Sequence, residues 1–227
     1  MDLGPWLLRA IKRRVFPLKT HFWEYYGRMT FASEFLQREG GREVRVLDVG
    51  GAPGDNLLKK FGIPDVTTLD LDERSDIVAS ADHMPLADDS YDFVTCLDTL
   101  EHMPRPMRPR AIAEMVRVAR RGLAVVAPQD TAENRKAEEL VLRYVPDPFV
   151  TEHRASGLWD SAETERQLER LRENGQIARF ERHELDNLLL WVCLMVEDYA
   201  NLSEIYEQAS FLENRFHARR VGLLVWK

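Results

Sequence analysis

Between residues 44 and 128 the chain alternates two hydrophobic periods, and few architectures accept that alternation. Short runs read as buried strands: VRVLDV at 44–49, VTTLDL at 66–71, DIVASA at 76–81, YDFVTCL at 91–97 and GLAVVAP at 122–128. Between them DNLLKKFG, ended by Gly62, and RAIAEMVRVAR, stopped by Gly122, carry helical spacing. Strands alternating with helices predict a parallel sheet with helices on both faces, and a ligand placed beyond the carboxyl ends of the strands.

After Pro128 the rhythm breaks. Residues 129–175 are rich in charge and read as a helical insertion beside the sheet after the fifth strand. QIARFER supplies a sixth strand, ELDNLLLWVCLMVEDYA a long apolar helix and RRVGLLVWK a last strand. Two regions follow: an N-terminal helical cap over 1–40, and a domain over 41–227 whose insertion at about 129–175 frames the ligand. In the charged run ETERQLERLREN, opposite charges at helical spacing describe a solvated helix face.

The first 28 residues stand apart, with six basic residues against two acidic ones and Trp6, Leu7, Ala10, Ile11 and Phe16 near helical spacing. Such a basic amphipathic helix suits either the surface of an anionic membrane or a cap packed on its own domain. The aromatic group Phe22, Trp23, Tyr25 and Tyr26 would close over a pocket or pack on the sheet. No apolar run approaches the roughly 20 residues that span a bilayer, and no secretory leader precedes the domain. Cys96 and Cys193 lie in apolar stretches, as reduced buried thiols do. Together these predict a cytoplasmic protein, peripheral at the inner membrane surface if the basic helix docks there. With 44% apolar residues the chain fills a core, and a net charge of -7 provides no stripe for nucleic acid.

The first strand runs into LDVGGAPGD at 47–55, which packs three glycines between two aspartates. Glycines let a ligand lie against bare backbone, as in sites for dinucleotides and for S-adenosylmethionine. Gly50, Gly51 and Gly54 do not make the GxGxxG spacing, and Asp55 at the helix entrance would cap the helix but repel a pyrophosphate. S-adenosylmethionine instead wants carboxylates for its ammonium and ribose diol. Asp48 is placed for the first and Asp70, at the end of the second strand, for the second.

With TLDLD and ADHMPLADDSYDFVTCLDTLEHMPRP, this turn resembles the class I S-adenosylmethionine-dependent methyltransferases, in the branch called methyltransferase type 11. The resemblance covers about residues 40–130. It implies a Rossmann-like seven-stranded sheet, mostly parallel with an antiparallel last strand, S-adenosyl-L-methionine as cofactor and S-adenosyl-L-homocysteine as product. Matched to the family's motifs, Asp48, Gly50, Gly51, Ala52 and Gly54 cradle the cofactor, Asp70 and Leu71 meet the ribose, and Ala81 and Asp82 meet the adenine. Leu97 approaches the methyl group. Ala52 replaces a usual glycine, and Ser80 stands where an adenine-binding acid is common.

The expected reaction is methyl transfer to a small-molecule or sugar-containing, glycan-type acceptor at a hydroxyl, whose proton leaves to a positioned base. His153 in the insertion and His102 in LEHMP are the candidates, followed by His83 and His183, with His217 assigned to the last helix. Trp159 and Arg154 are placed to stack on and hydrogen-bond the acceptor. Asp130 would orient it, and no metal is expected, since Asp130 with Asn134 makes a thin ligand set. Two other readings are an RNA methyltransferase and a non-catalytic cofactor-binding partner subunit. The first shares the GGAPG turn, but Lys59 and Lys60 are the only lysines near it and none lies between 61 and 135. The apolar helix around Trp191 reads as core or as a subunit contact, and oligomeric state is left open.

Overall fold

The computed structural model describes residues 22–41, 43–54, 56–196, 205, 208–209, 212 and 217–227. The basic helix expected within the first 21 residues and Asp55 lie outside them. The sheet is built from β1 (Arg45–Val49), β2 (Asp65–Asp70), β3 (Ile77–Val78), β4 (Tyr91–Leu97), β5 (Ala119–Pro128), β6 (Arg179–Asn187) and β7 (Ala218–Trp226). Their order is β3-β2-β1-β4-β5-β7-β6, and β7 runs antiparallel to both neighbours. This is the Rossmann-like, doubly wound sheet with one reversed strand that the alternation and the resemblance implied.

Period-two alternation sorts each strand between two cores. Leu47 and Val49 of β1, Val94 and Cys96 of β4 and Leu123 and Val125 of β5 face one side, where α3 (Arg108–Val118) packs Ala111, Ile112 and Met115. Val46, Phe93 and Val126 face the other, against Met29, Ala32, Phe35 and Leu36 of α1 (Phe22–Gly40) and Leu58 of α2 (Leu57–Lys60). After β5 come α4 (Ala132–Tyr144), α5 (Pro148–Ser156) and α6 (Ser161–Glu173), and α7 (Leu188–Val196) follows β6. The helices α4, α5 and α7 bury a third cluster around Trp191, which is 1% exposed. Among the described residues, no helix is long and apolar enough to cross a membrane.

Four elements differ from the sequence expectation. The third strand keeps two residues instead of six: it is the edge of the sheet, and the chain leaves it for a turn where His83 N–H donates to the Ser80 carbonyl. The helix α2 is one turn, capped by the Asn56 side chain, which accepts from Leu58 N–H. The helix before β5 ends at Val118, and Gly122 sits inside the strand. A Cβ there would collide with the Val225 carbonyl oxygen of β7, so this glycine permits close strand approach instead of stopping a helix. Finally, β6 runs through Glu184 to Asn187, the segment expected to open the apolar helix. Pairing with β7 down to Ala218 overrides local propensity there. His217, expected in a helix, directly precedes β7.

Candidate active site

A cavity of about 560 Å³ opens beyond the carboxyl ends of β1, β2 and β4, within the range of about 300–1,000 Å³ of small-molecule sites. One end is the glycine turn. Asp48, Gly50, Gly51, Ala52, Asp70 and Leu97 line it. Gly50 takes a left-handed backbone (φ +75°) and donates its N–H to the Leu69 carbonyl at 2.8 Å. A Cβ on Gly50 would strike Thr99, and one on Gly51 would strike the Asp48 carboxylate. At Gly50 and Gly51 the turn is therefore bare because the Thr99 and Asp48 side chains leave no room, whereas nothing crowds Gly54, whose left-handed backbone suits a glycine.

Asp48 is almost sealed beneath this turn. Asn56 Nδ2 donates to its Oδ2 at 2.7 Å and Thr95 Oγ1 to its Oδ1 at 2.7 Å. Burial raises its pKa even though both hydrogen bonds favour the charged form. Asp70 is only half-buried: Oδ1 accepts from Asp72 N–H at 2.9 Å. Leu71 points to solvent, at 74% exposed. Gly54, Ala81 and Asp82 do not line the cavity: Gly54 is exposed with a left-handed backbone, Ala81 belongs to the core beside α3, and Asp82 accepts the Ser80 hydroxyl.

At the other end stand His102, on the single turn after β4, and His153, on α5, with ring centroids 5.1 Å apart. Nδ1 of His102 lies 2.9 Å from Glu152 Oε2, and Nδ1 of the buried His153 lies 2.7 Å from Glu138 Oε1. Burial, then the neighbouring His153, lowers the His102 pKa. Burial alone would raise that of Glu138, but Arg219 and His153 hold it below the usual range. Glu101 is 1% exposed; burial, reinforced by the charge of Asp98, pushes its carboxyl up to about 8.

A charged floor joins the two ends. Asp98, itself in a left-handed backbone, receives Arg220 through Nε and Nη2 at 2.7–3.0 Å and pairs with Arg28 Nη1 of α1 at 2.6 Å. Burial would raise its pKa, but the two guanidiniums hold it far below the usual range. Arg220 also reaches Asp186 at 2.9 Å, and Arg219 reaches Glu138 at 2.8 Å and Asn134 at 3.2 Å.

Several sequence candidates are elsewhere. His83 is exposed, and His183 packs its ring against Phe31. Asp130 is held by Arg105 at 2.9 Å and by Arg135, away from Asn134, which serves Arg219 and the Ala218 carbonyl. Trp159 is core, 1% exposed and donating to Thr164 Oγ1, so it cannot stack on a ligand, while Arg154 is exposed. Sequence reading missed Glu101, Glu138, Glu152, Arg219 and Arg220. Only Glu101 left a signal, beside His102 in LEHMP.

Residues 47–126 match the family described as a methyltransferase domain. No curated protein matches the chain. Among solved structures, the fold is similar to a SAM-dependent methyltransferase from Archaeoglobus fulgidus, with 13% identity and a TM-score of 0.54 over 97% of this chain and 99% of that one. It is also similar to the plantazolicin methyltransferase BpumL solved with a desmethyl analog and S-adenosylhomocysteine (13%, TM-score 0.57, 96% and 90%). A third is phosphoethanolamine N-methyltransferase 2 of Haemonchus contortus with S-adenosyl-L-methionine (13%, TM-score 0.53, 86% of this chain and 51% of that one). At these identities the likeness is one of fold.

Proposed function

We propose that the chain is an S-adenosylmethionine-dependent methyltransferase of class I and that it methylates a hydroxyl of a small polar or sugar-containing molecule. The observation that carries this reading is one cavity with the glycine turn and Asp70 at one end and two carboxylate-backed histidines at the other. The residues suit the cofactor: bare backbone at Gly50 and Gly51, a half-buried acid at Asp70 for a diol, and Asp48 beneath the turn. When bound, S-adenosylmethionine supplies a methyl group on a sulfonium that is already a good leaving group.

The protein's share is then alignment and proton removal. Proximity and orientation supply up to about 7–11 kcal/mol of such a barrier. Leu97, at the end of β4, lines the cavity. An oxygen acceptor must shed its proton, and the groups that meet it are His102 and His153. With each Nδ1–H given to a carboxylate, each ring presents Nε2 with its lone pair, and Glu152 and Glu138 hold the ring orientations. Arg219 keeps Glu138 charged for that task.

The test is calorimetric titration with S-adenosylhomocysteine, with NAD as control, followed by labelling of hydroxylated small molecules and sugars with methyl-labelled cofactor. Micromolar binding of the homocysteine compound alone and a base-stable methyl ether product are expected. Labelled product only at nitrogen or carbon would overturn the hydroxyl assignment, and absence of binding would overturn the cofactor site.

A further inference from the structure

Glu101 and His102 come from the turn after β4, and His153 comes from α5, 51 positions further along the chain. One ligand atom from each, two imidazole nitrogens and a carboxylate oxygen, lie within 4.8 Å of one another. His102 Nε2 is 4.0 Å from Glu101 Oε1. Both rings are engaged on the far side, Nδ1 of His102 with Glu152 and Nδ1 of His153 with Glu138. A carboxylate behind an imidazole fixes the Nε2 lone-pair tautomer and raises its basicity, as it does for histidines that ligate metal ions.

Glu101 adds an independent observation. It is 1% exposed and its Oε2 has no hydrogen-bond partner. The nearby Arg108 donates to the Glu101 backbone carbonyl at 3.4 Å and to the carbonyls of residues 156–158. A buried carboxylate oxygen without a partner is costly unless something fills the place.

We propose that Glu101, His102 and His153 form a site for a first-row transition-metal dication, with a further coordination position open to the acceptor hydroxyl. Two imidazoles with one carboxylate suit zinc or its neighbours in the first row, whereas magnesium and calcium prefer oxygen-only sets. A tetrahedral site spaces its ligand atoms about 3.3 Å apart, so side-chain rotations must draw the three groups in by ~1.5 Å at most. The inference rests on the acceptor reading above and states how the histidine pair acts: by ligation instead of proton capture. At the ion only the acceptor O–H bond breaks; its proton passes to water and the electron pair stays on oxygen. This departs from the expectation of no metal, because no regular ligand spacing announces a set divided between two elements.

The test uses the tag-free full chain, stripped with chelator, dialysed and titrated calorimetrically with zinc sulfate and, separately, magnesium chloride. A cobalt(II) titration is read in the visible region. One zinc per chain at micromolar affinity or tighter, no magnesium heat and cobalt d–d bands are expected. Glu101→Gln and His153→Ala should each weaken zinc at least tenfold, and Glu138→Gln about 10- to 100-fold through the lost support of His153. Should His153→Ala fail to fold, the near-isosteric Glu101→Gln decides. Zinc binding well below one per chain, or equally tight in Glu101→Gln, overturns the site. Titration with S-adenosylhomocysteine separates the two proposals: a chain that binds it but takes up no zinc removes the metal and leaves the methyltransferase reading, and a chain that takes up zinc but does not bind it does the reverse.

Discussion

Asp48 and Asp70 are both strand-end carboxylates, yet their surroundings give them different work. Asp48 is locked by Asn56 and Thr95 under the glycine turn, while Asp70 keeps one oxygen open to the cavity and gives the other to Asp72 N–H. Asp70→Ala should therefore weaken S-adenosylhomocysteine at least tenfold, since hydrogen bonds to a charged group contribute about 1.5–3 kcal/mol, while the ligand-free unfolding temperature moves little. Unchanged affinity in calorimetry would show that the ribose lies elsewhere. Asn56→Ala should behave in the opposite way. It removes the cap of α2, worth about 1 kcal/mol, and strips a buried carboxylate of a partner, worth about 1–3 kcal/mol more. A fall of several degrees in melting temperature without ligand is expected; a drop below about 1 °C would mean that Asp48 finds another donor. At this scale the sequence was informative where chemistry is local: LDVGGAPGD marks a crowded turn whatever binds there. It was silent on Arg220, whose partner Asp98 is 122 positions away. It misled on Trp159, because an aromatic residue near a candidate histidine carries no mark of which way it faces.

At the scale of elements, the sheet was legible because buried strands and amphipathic helices differ in period, and five of the seven strands fall inside the alternating stretch 44–128. The boundaries were not. Local propensity makes Gly122 a helix stop, but partner strands decide where β5 begins, and they place this glycine opposite Trp226 in the β5–β7 ladder. Gly122→Ala distinguishes the two readings. As a strand glycine facing the Val225 carbonyl, it has no space for a methyl group, and overpacking of this kind costs typically 1–3 kcal/mol. Chemical denaturation should show a lower midpoint at unchanged slope. A loss within about 0.5 kcal/mol, as for an exposed surface substitution, would mean that the two strands part without cost. The same pairing explains β6: Glu184–Asn187 would suit a helix start, but each residue that pairs with β7 exchanges local backbone bonds for a ladder, and Arg220 reaches Asp186 across it.

On the scale of the whole molecule, the cavity is a junction between parts with separate cores. The glycine turn and Asp70 belong to the sheet, Tyr25 and Arg28 to α1, and His153 to α5, whose Val150 packs in the third hydrophobic cluster, with Arg219 tying α4 to β7 and Arg220 and Arg28 meeting on Asp98. Such a junction exists only when every part is docked, so a ligand seated in it binds the folded chain and not the unfolded one. Linkage then sets the size of the effect: at about 100 times its dissociation constant, a ligand adds roughly 2.7 kcal/mol. For chains of this length, a kilocalorie moves the melting temperature by about 2–4 °C. S-adenosylhomocysteine at that excess should therefore raise the unfolding midpoint by about 5–11 °C, and the rise should grow with the logarithm of concentration. NAD at equal concentration should leave the midpoint in place. Asp70→Ala should need at least tenfold more S-adenosylhomocysteine for the same rise. A midpoint indifferent to S-adenosylhomocysteine at millimolar concentration would mean that the glycine turn and Asp70 do not hold the cofactor, and the assignment of that end of the cavity would fall.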